Sequence, residues 1–317
     1  MLAHLGGPVL APVQVAVPLL LAFLYTRRVR TLAPTPRAVP FWRQACFLGG
    51  IGIIVLTLTS PAGHVADELF WVHMAEHLLI ADLAALLMVL GLTGPLLAPL
   101  LRIRWLGWLR VMTHPAVALP LWALDLFVWH IPGLYEGAVD HAVVHALEHA
   151  MFIGFGIAMW MALLGPLPRP EWFGNAAKLL YILGVRLLGT ILANVLLWTG
   201  AVYPEYERGA ALWHVSPETD QKIGAGIMMV EGSIVTLCLF AWLFIRAGRE
   251  GDERQALLDL AQARGVPLDD RRAARAVAAG RGDELRERIQ RAANEGAAQD
   301  ATGESGPAGM ITSPQPP

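Results

Sequence analysis

The chain is poor in cysteine and in charge. It has only two cysteines, and because neither Cys46 nor Cys238 belongs to a Cys-x-x-Cys pair and both lie in apolar runs, we expect no structural disulfide. Only 16% of its 317 residues are charged, whereas 55% are hydrophobic and the mean hydropathy is +0.49. This balance argues against a soluble protein and indicates a membrane protein that contacts the lipid bilayer. The formal net charge of -2 gives no reason to expect nucleic acid as a partner.

The charges that are present gather near the C-terminus. Residues 246–317 carry 11 arginines and 12 acidic residues, out of 24 basic and 26 acidic residues in the chain, so this part has the composition of a solvated tail. We therefore divide the chain into a transmembrane domain (1–246), a cytoplasmic helical tail (247–294) and a disordered C-terminus (295–317) rich in Gly, Ala, Ser and Pro. The N-terminus has no basic region and no clear cleavage site, so we expect no removable signal peptide.

Long apolar runs occur seven times. They lie near residues 8–26, 44–61, 70–91, 115–131, 141–164, 179–200 and 223–245, and each approaches the length of about 20 residues that crosses the hydrocarbon core. Arginine and lysine are concentrated in the loops after the first, third and fifth runs and are nearly absent from the loops between them. The positive-inside rule then places the N-terminus outside and the C-terminus in the cytoplasm. The sequence predicts an all-α integral membrane protein with seven transmembrane helices.

The ten histidines are distributed unevenly across this topology. Only His114 falls on the cytoplasmic side, although the topology was deduced from arginine and lysine alone. The spacing i, i+4 occurs three times on the outer side, as His73 with His77, His141 with His145, and His145 with His149. Two histidines one helical turn apart can converge on a single metal ion.

We take five histidines as the candidate metal ligands at the outer face. They are His73, His77, His130, His145 and His149. His141 ranks below them, because it competes for His145 and lies nearest to solvent. Glu76, Glu148 and Asp140 lie within one helical turn of these pairs and could orient the ring N–H groups.

The ligand type does not name the metal, since imidazole binds copper, zinc, iron and nickel. Neighbouring methionines such as Met74 and Met151 would suit Cu(I), although we favour an ordinary packing role for each of them. Four further ionisable residues lie deeper in the predicted spans: Asp82, Asp125, Arg186 and Glu231. For these we favour pairing of Arg186 with Asp82 or Glu231 over a transport role.

Several functions fit an outward-facing histidine cluster. The favoured one is a metallochaperone without enzymatic activity that binds copper, most simply Cu(I). An intramembrane zinc hydrolase would need a metal-bound water and a carboxylate base, for which Glu76 or Glu148 could serve. A b-type membrane protein would hold one heme between two axial histidines. A cluster of interfacial histidines without any metal is the plainest alternative.

A set of motifs resembles the CtaG family, the assembly factors of caa-type cytochrome c oxidase, over about residues 10–245. The motifs are His73-Met-Ala-Glu-His77-Leu-Leu, His114-Pro115, Trp129-His130-Ile-Pro132-Gly-Leu-Tyr135, His145-Ala-Leu-Glu-His149, and Ser216-Pro217 through Asp220-Gln221 to Gly226-Ile-Met228. Lys222 and Ala225 depart from the expected Gln and Gly.

The resemblance implies a seven-span protein of the bacterial plasma membrane. It further implies that this protein acts with cytochrome c oxidase subunits in the same membrane and supplies copper to the catalytic subunit. The tail after residue 246 lies outside the resemblance.

Overall fold

A computed structural model describes residues 7–302, with side chains described within 14–61, 63–105 and 107–295. This part of the chain contains helices and no strand. The α-helices are α1 (Gly7–Leu32), α2 (Phe41–Thr59), α3 (Ala62–Ala66), α4 (Phe70–His77), α5 (Ala85–Gly91), α6 (Gly94–Leu101), α7 (Trp108–Met112), α8 (Pro115–Trp129), α9 (Pro132–Asp140), α10 (Ala142–Leu164), α11 (Asn175–Trp198), α12 (Glu207–Leu212), α13 (Pro217–Ala263), α14 (Asp270–Ala278) and α15 (Gly282–Thr302). A π-helical segment, Leu78–Ala84, joins α4 to α5, and 3₁₀ turns cover Arg104–Leu106 and Pro204–Tyr206.

Five of these helices are long and apolar enough to cross a membrane. They are α2, the continuous rod from α4 to α5 (Phe70–Gly91), α10, α11 and α13. A sixth span is formed if α8 and α9 count together. Alone, α8 has 15 residues, about 22 Å of helix, which is short of the hydrocarbon thickness. The fourth predicted span therefore exists only as a bent pair.

The bend in that pair comes from proline. Pro132 lies at the first position of α9, where its ring fits and its missing N–H costs nothing, but the residue before a proline is disfavoured in the α conformation. Ile131 is accordingly extended, with φ -69° and ψ 124°, and the two helix axes meet at 75°. His130 and Ile131 therefore form the corner of the bend.

The first predicted span, 8–26, is covered by α1, but α1 is not among the candidate spans. Residues 8–13 of this span lie outside the described side chains, and the part of α1 that is described carries Arg27, Arg28 and Arg30. The membrane character of the described chain is therefore clear from five or six helices, and the count of seven stays a prediction.

Small residues allow α2 and α10 to pack closely on the π-helical segment. A Cβ on Gly50 of α2 would lie 2.6 Å from the carbonyl oxygen of Ala84, and a Cβ on Gly156 of α10 would overlap the carbonyl oxygen of Ala81. These carbonyls belong to the segment that directly follows His77. Helices in lipid associate by such close packing, because the lipid is as apolar as their side chains. The two glycines thus hold the rod that carries His73 and His77.

The chain divides into two compact units, Met1–Phe240 and Ala241–Pro317. In the second unit, the end of α13 packs with α14 and α15 around a small apolar core. Its buried members are Leu257, Ala261, Val277, Leu285 and Ile289. Helix α15 reaches Thr302, so the segment 295–317, predicted to be disordered, begins inside a helix, and its residues 303–317 lie outside the described part.

Candidate metal centre

The position of α4 depends on a carboxylate from a distant helix. Leu69 occupies the N-cap of α4 and cannot accept a hydrogen bond through its side chain. Asp220, in the first turn of α13, takes this role, since its carboxylate accepts hydrogen bonds from the backbone N–H groups of Phe70 (2.8 Å) and Trp71 (3.0 Å). Asp220 is completely buried. It therefore fixes the start of the helix that carries His73 and His77 one and two turns later.

The neighbouring residue ties α13 to a second helix. The side-chain amide of Gln221 donates to the carbonyl oxygens of Leu196 (2.8 Å) and Gly200 (3.0 Å) and accepts from the backbone N–H of Val202 (2.9 Å). These three residues lie at and just beyond the end of α11. Asp220 and Gln221 together hold the adjoining ends of three helices, and neither was a predicted site residue, although both belong to the motifs that carried the resemblance.

Three histidines and one glutamate converge beside these helix ends. One ligand atom from each of His73, His77, His145 and Glu148 lies within 4.8 Å of every other. The ring centroids of His73 and His77 are 4.3 Å apart, as their i, i+4 spacing requires, and those of His73 and His145 are 5.4 Å apart across two helices. The structure thus joins the two halves of the predicted site, one from α4 and one from α10.

All four side chains are buried, with exposed fractions of 3%, 6%, 8% and 1% in chain order. Among the described residues, both ring nitrogens of His77 and the Oε2 of Glu148 lack a hydrogen-bond partner. Burying polar atoms without partners costs free energy. A bound metal ion would supply the missing partner, so the donor set fits a metal on the chemistry of its own atoms.

Glu148 is the ligand candidate that the sequence analysis underrated. It lies three residues after His145, so the helical period places both side chains on one face of α10. From the sequence, Glu148 was predicted to orient histidine rings or to act as a carboxylate base, not to be a ligand, yet its carboxylate lies within the group itself. The spacing was visible in the sequence, but a glutamate at i+3 is also common on helices that bind nothing.

His149 and His130 lie beside the group and not within it. The ring of His149 is 4.3 Å from that of His145 and 5.2 Å from that of His77, measured between centroids. His130, at the end of α8, is bonded through Nδ1 to the carbonyl oxygen of Leu126 at 2.7 Å. Because a carbonyl only accepts, Nδ1 carries the proton, and Nε2 is the nitrogen left for another partner. The structure therefore ranks His130 and His149 behind the other three predicted histidines.

The remaining described histidines do not belong to the group. His141 is exposed and connects α9 to α10, and His64 is exposed in α3. His214 lies in a loop with φ 55°. His114 caps α8, its Nδ1 accepting from the N–H of Ala116 at 3.3 Å. The lower rank given to His141 agrees with its position.

Three tyrosines cover the cluster. The hydroxyls of Tyr135 in α9 and Tyr206 in the loop after α11 are 2.8 Å apart, and Tyr203 of the same loop donates to the carbonyl oxygen of His130 at the end of α8, at 3.0 Å. The rings of Tyr135 and Tyr206 lie 5.5 and 6.3 Å from that of His73. Burial raises the pKa of Tyr206 well above its usual range, so this phenol stays neutral. The cover closes the cluster off from solvent.

The predicted methionines and the deeper ionisable residues lie outside the group of four. Met74 packs with Phe70 and Tyr135, and Met151 packs against another hydrophobic cluster, so both have ordinary core surroundings. Asp82, Arg186 and Glu231 line one cavity of about 80 Å³. Within the described residues Arg186 forms no ion pair with either carboxylate and instead donates to Ser233 Oγ at 2.7 Å.

Comparison with known proteins identifies a family and distant relatives. A family model described as the cytochrome c oxidase caa3 assembly factor, Caa3_CtaG, matches residues 23–250. An uncharacterized protein of Mycobacterium leprae is 24% identical over 251 residues, which cover 73% of this chain and 38% of the relative. Uncharacterized proteins of Mycobacterium bovis and Mycobacterium tuberculosis are each 26% identical over 233 residues, 67% of this chain and 35% of theirs. The chain thus spans less than two fifths of the length of these relatives. No solved structure matches.

Proposed function

The chain belongs to the family of cytochrome c oxidase caa3 assembly factors, and we propose that it binds copper at the histidine and glutamate cluster and delivers it to the catalytic subunit of the oxidase. The family membership supports a role in assembly. The observation that carries copper binding is the convergence of His73, His77, His145 and Glu148 within 4.8 Å in a buried site. No catalytic residue is assigned, because copper is the cargo in this function.

The proposed setting is the bacterial plasma membrane. In this proposal all seven apolar runs cross it, with the N-terminus outside and the C-terminus in the cytoplasm, so that the cluster lies near the extracytoplasmic face. Subunits of the oxidase in the same membrane are the partners. Since the cluster is buried under Tyr135 and Tyr206, loading and release of the ion require this cover to move.

Imidazole nitrogens bind copper in both oxidation states, and three histidines are enough ligands to coordinate Cu(I). In this proposal His73, His77 and His145 hold the ion, while Glu148 either completes the coordination or accepts a ring N–H. His149 lies near enough to His77 to take over a ligand position during exchange.

The test compares the metal content and the Cu(I) affinity of the purified protein with those of matched variants. His73→Ala, His77→Ala and His145→Ala are each expected to weaken Cu(I) binding at least about tenfold, since a site of so few ligands loses one of them. His141→Ala is the control, because His141 lies four residues before His145 but is exposed and outside the group. Equal copper in the wild type and in a triple variant of the three ligand histidines would contradict the proposal.

Delivery needs a separate measurement. In cells that lack the native protein, wild type and His141→Ala are expected to restore copper in the oxidase, whereas His77→Ala is expected to yield oxidase protein that is deficient in copper. An oxidase with full copper content in the His77→Ala strain would separate assembly from metal binding and refute the delivery step.

One observation favours a second candidate, a zinc site, which would be hydrolytic only if the three histidines hold the ion and Glu148 acts as the base on a metal-bound water. The carboxylate of Glu148 within the group is a harder donor than Cu(I) prefers, whereas three imidazoles and one carboxylate suit Zn²⁺. The same metal analysis decides between them. Zinc in preference to copper in protein purified without added metal, together with its loss in Glu148→Gln, would favour the zinc site.

A further inference from the structure

Four arginines line one concave surface of the tail unit. Arg272 and Arg275 come from α14, Arg281 from the turn that follows it and Arg288 from α15, around a cavity of about 240 Å³. Glu284 is the one carboxylate that lines it among the described residues. We call this surface the arginine cleft. It lies outside the residues that match the family model.

The cleft is built on a defined turn. Gly280 adopts φ +66°, a conformation that glycine takes without strain, and ends α14 with a hydrogen bond from its N–H to the carbonyl oxygen of Val277 (2.8 Å). The N–H of Arg281 donates to the carbonyl oxygen of Ala276 at 2.8 Å. This turn brings the start of α15 back beside α14, so that arginines from both helices face the same space.

An apolar core holds the two helices in this arrangement. Val277 of α14 and Leu285 and Ile289 of α15 are buried against Leu257 of α13. The four arginines are exposed, and the cavity that they line is also bordered by Leu285 of this core and by Ala276, which packs against it. Their grouping is thus set by packed residues beneath them, which do not depend on the charges above.

The arginines of the cleft differ in charge pairing from four other arginines of the tail. Four arginines elsewhere in the unit each lie near a carboxylate: Arg246 with Glu250 (2.7 Å), Arg254 with Asp270 (3.0 Å), Arg286 with Asp283 (3.7 Å) and Arg291 with Glu287 (3.8 Å). In the described part of the tail, no arginine of the cleft lies within ion-pair distance of a carboxylate. The lining therefore holds four positive charges against the single negative charge of Glu284.

We propose that the arginine cleft binds a phosphate-bearing anion. Guanidinium groups match phosphate oxygens in a bidentate geometry, and several of them around one concavity offer more donors than a single carboxylate could use. The phosphate comes either from a small soluble molecule or from the headgroup of an anionic phospholipid. Recognition in both cases is of the phosphate group itself.

The test measures how well anions protect individual arginines from phenylglyoxal, with the modified residues quantified by mass spectrometry. The full chain is placed in nanodiscs of phosphatidylcholine, and either inorganic pyrophosphate is added or part of the lipid is replaced by phosphatidylglycerol. Chloride at matched ionic strength controls for screening. We expect Arg272, Arg275, Arg281 and Arg288 to be protected, and Arg286 and Arg291 to react as they do in chloride.

The two arms identify the source of the phosphate. Protection by pyrophosphate in phosphatidylcholine nanodiscs indicates a soluble ligand, and protection only with phosphatidylglycerol indicates a lipid headgroup. Equal reactivity of all six arginines under every condition, or equal protection of Arg286 and Arg291, would overturn the proposal, since the latter reports general electrostatic attraction.

Variants test the same point by affinity. The exposed pair Arg275→Gln with Arg288→Gln is expected to weaken binding of the protecting anion about tenfold or more, because charge-assisted hydrogen bonds to phosphate are lost. The matched pair Arg286→Gln with Arg291→Gln removes the same charge from α15 outside the cleft and is expected to leave binding unchanged. An equal loss in both pairs would mean that net charge, and not the cleft, attracts the anion.

Discussion

The hydrogen bonds that Asp220 accepts from the start of α4 allow a prediction that does not depend on any metal. The change is Asp220→Asn, which keeps the size of the side chain and removes its charge. The asparagine oxygen can still accept one of the N–H groups of Phe70 and Trp71, but its NH₂ group then faces the other. One buried N–H loses its partner, and the remaining bond becomes a neutral one.

The size of the effect follows from these two bonds. A hydrogen bond to a charged group contributes about 1.5–3 kcal/mol and a neutral one about 0.5–1.5 kcal/mol. Replacing two of the first kind by one of the second costs about 2–5 kcal/mol, because Asp220 is fully buried and water does not compensate. Opening of the first turn of α4 should then be roughly 30- to 5000-fold more frequent.

Hydrogen exchange followed by mass spectrometry measures this opening in peptides that cover Phe70–His77. Glu218→Gln is the control, since Glu218 lies on the same turn of α13 but is exposed and forms an ion pair with Lys222 at 2.6 Å. That change is expected to leave exchange in α4 within about twofold of the wild type, as an exposed pair contributes little. Exchange in Asp220→Asn as slow as in Glu218→Gln would refute the role of Asp220 as the cap of α4.

Two further predictions concern packing and the cover of the site. Gly156→Ala places a methyl group against the carbonyl oxygen of Ala81 and should destabilise the fold by about 1–3 kcal/mol in detergent unfolding. The control Gly154→Ala, whose added Cβ would meet no atom within 4 Å, should be neutral or stabilising by up to about 1 kcal/mol. Equal stability of the two variants would contradict the close contact at Gly156. Burial raises the pKa of Tyr206 above its unfolded value of about 10. The stability that the neutral phenol gives the fold is therefore fully present below about pH 10 and is lost as the pH rises above this value. The free energy of unfolding should therefore fall at alkaline pH, and this fall should be smaller in Tyr206→Phe. Near neutral pH the variant should be about 1–2 kcal/mol less stable than the wild type, because the hydroxyl of Tyr135 loses its partner. An unchanged alkaline slope in the variant would contradict the raised pKa of Tyr206.

The sequence by itself determined the features that lie within one helix or one run. Apolar length predicted the membrane helices, and the spacing of His73 with His77 and of His145 with His149 predicted two pairs of rings that the structure places 4.3 Å apart. Such pairs follow from the helical period of 3.6 residues, which needs no partner helix. The motifs also identified the family, which the family model confirms over residues 23–250.

Only the tertiary structure decided which of these groups meet. In the structure Glu148 lies with the three histidines, and His130 is bonded to the carbonyl of Leu126. Asp220 accepts a hydrogen bond from Phe70, at the start of a helix that begins 150 residues earlier in the chain. The reason is physical. Lipid is as apolar as the helix surfaces, so the hydrophobic pattern does not rank one helix neighbour above another, and the choice is made by close contacts such as those of Gly50 and Gly156 and by a few buried polar bonds.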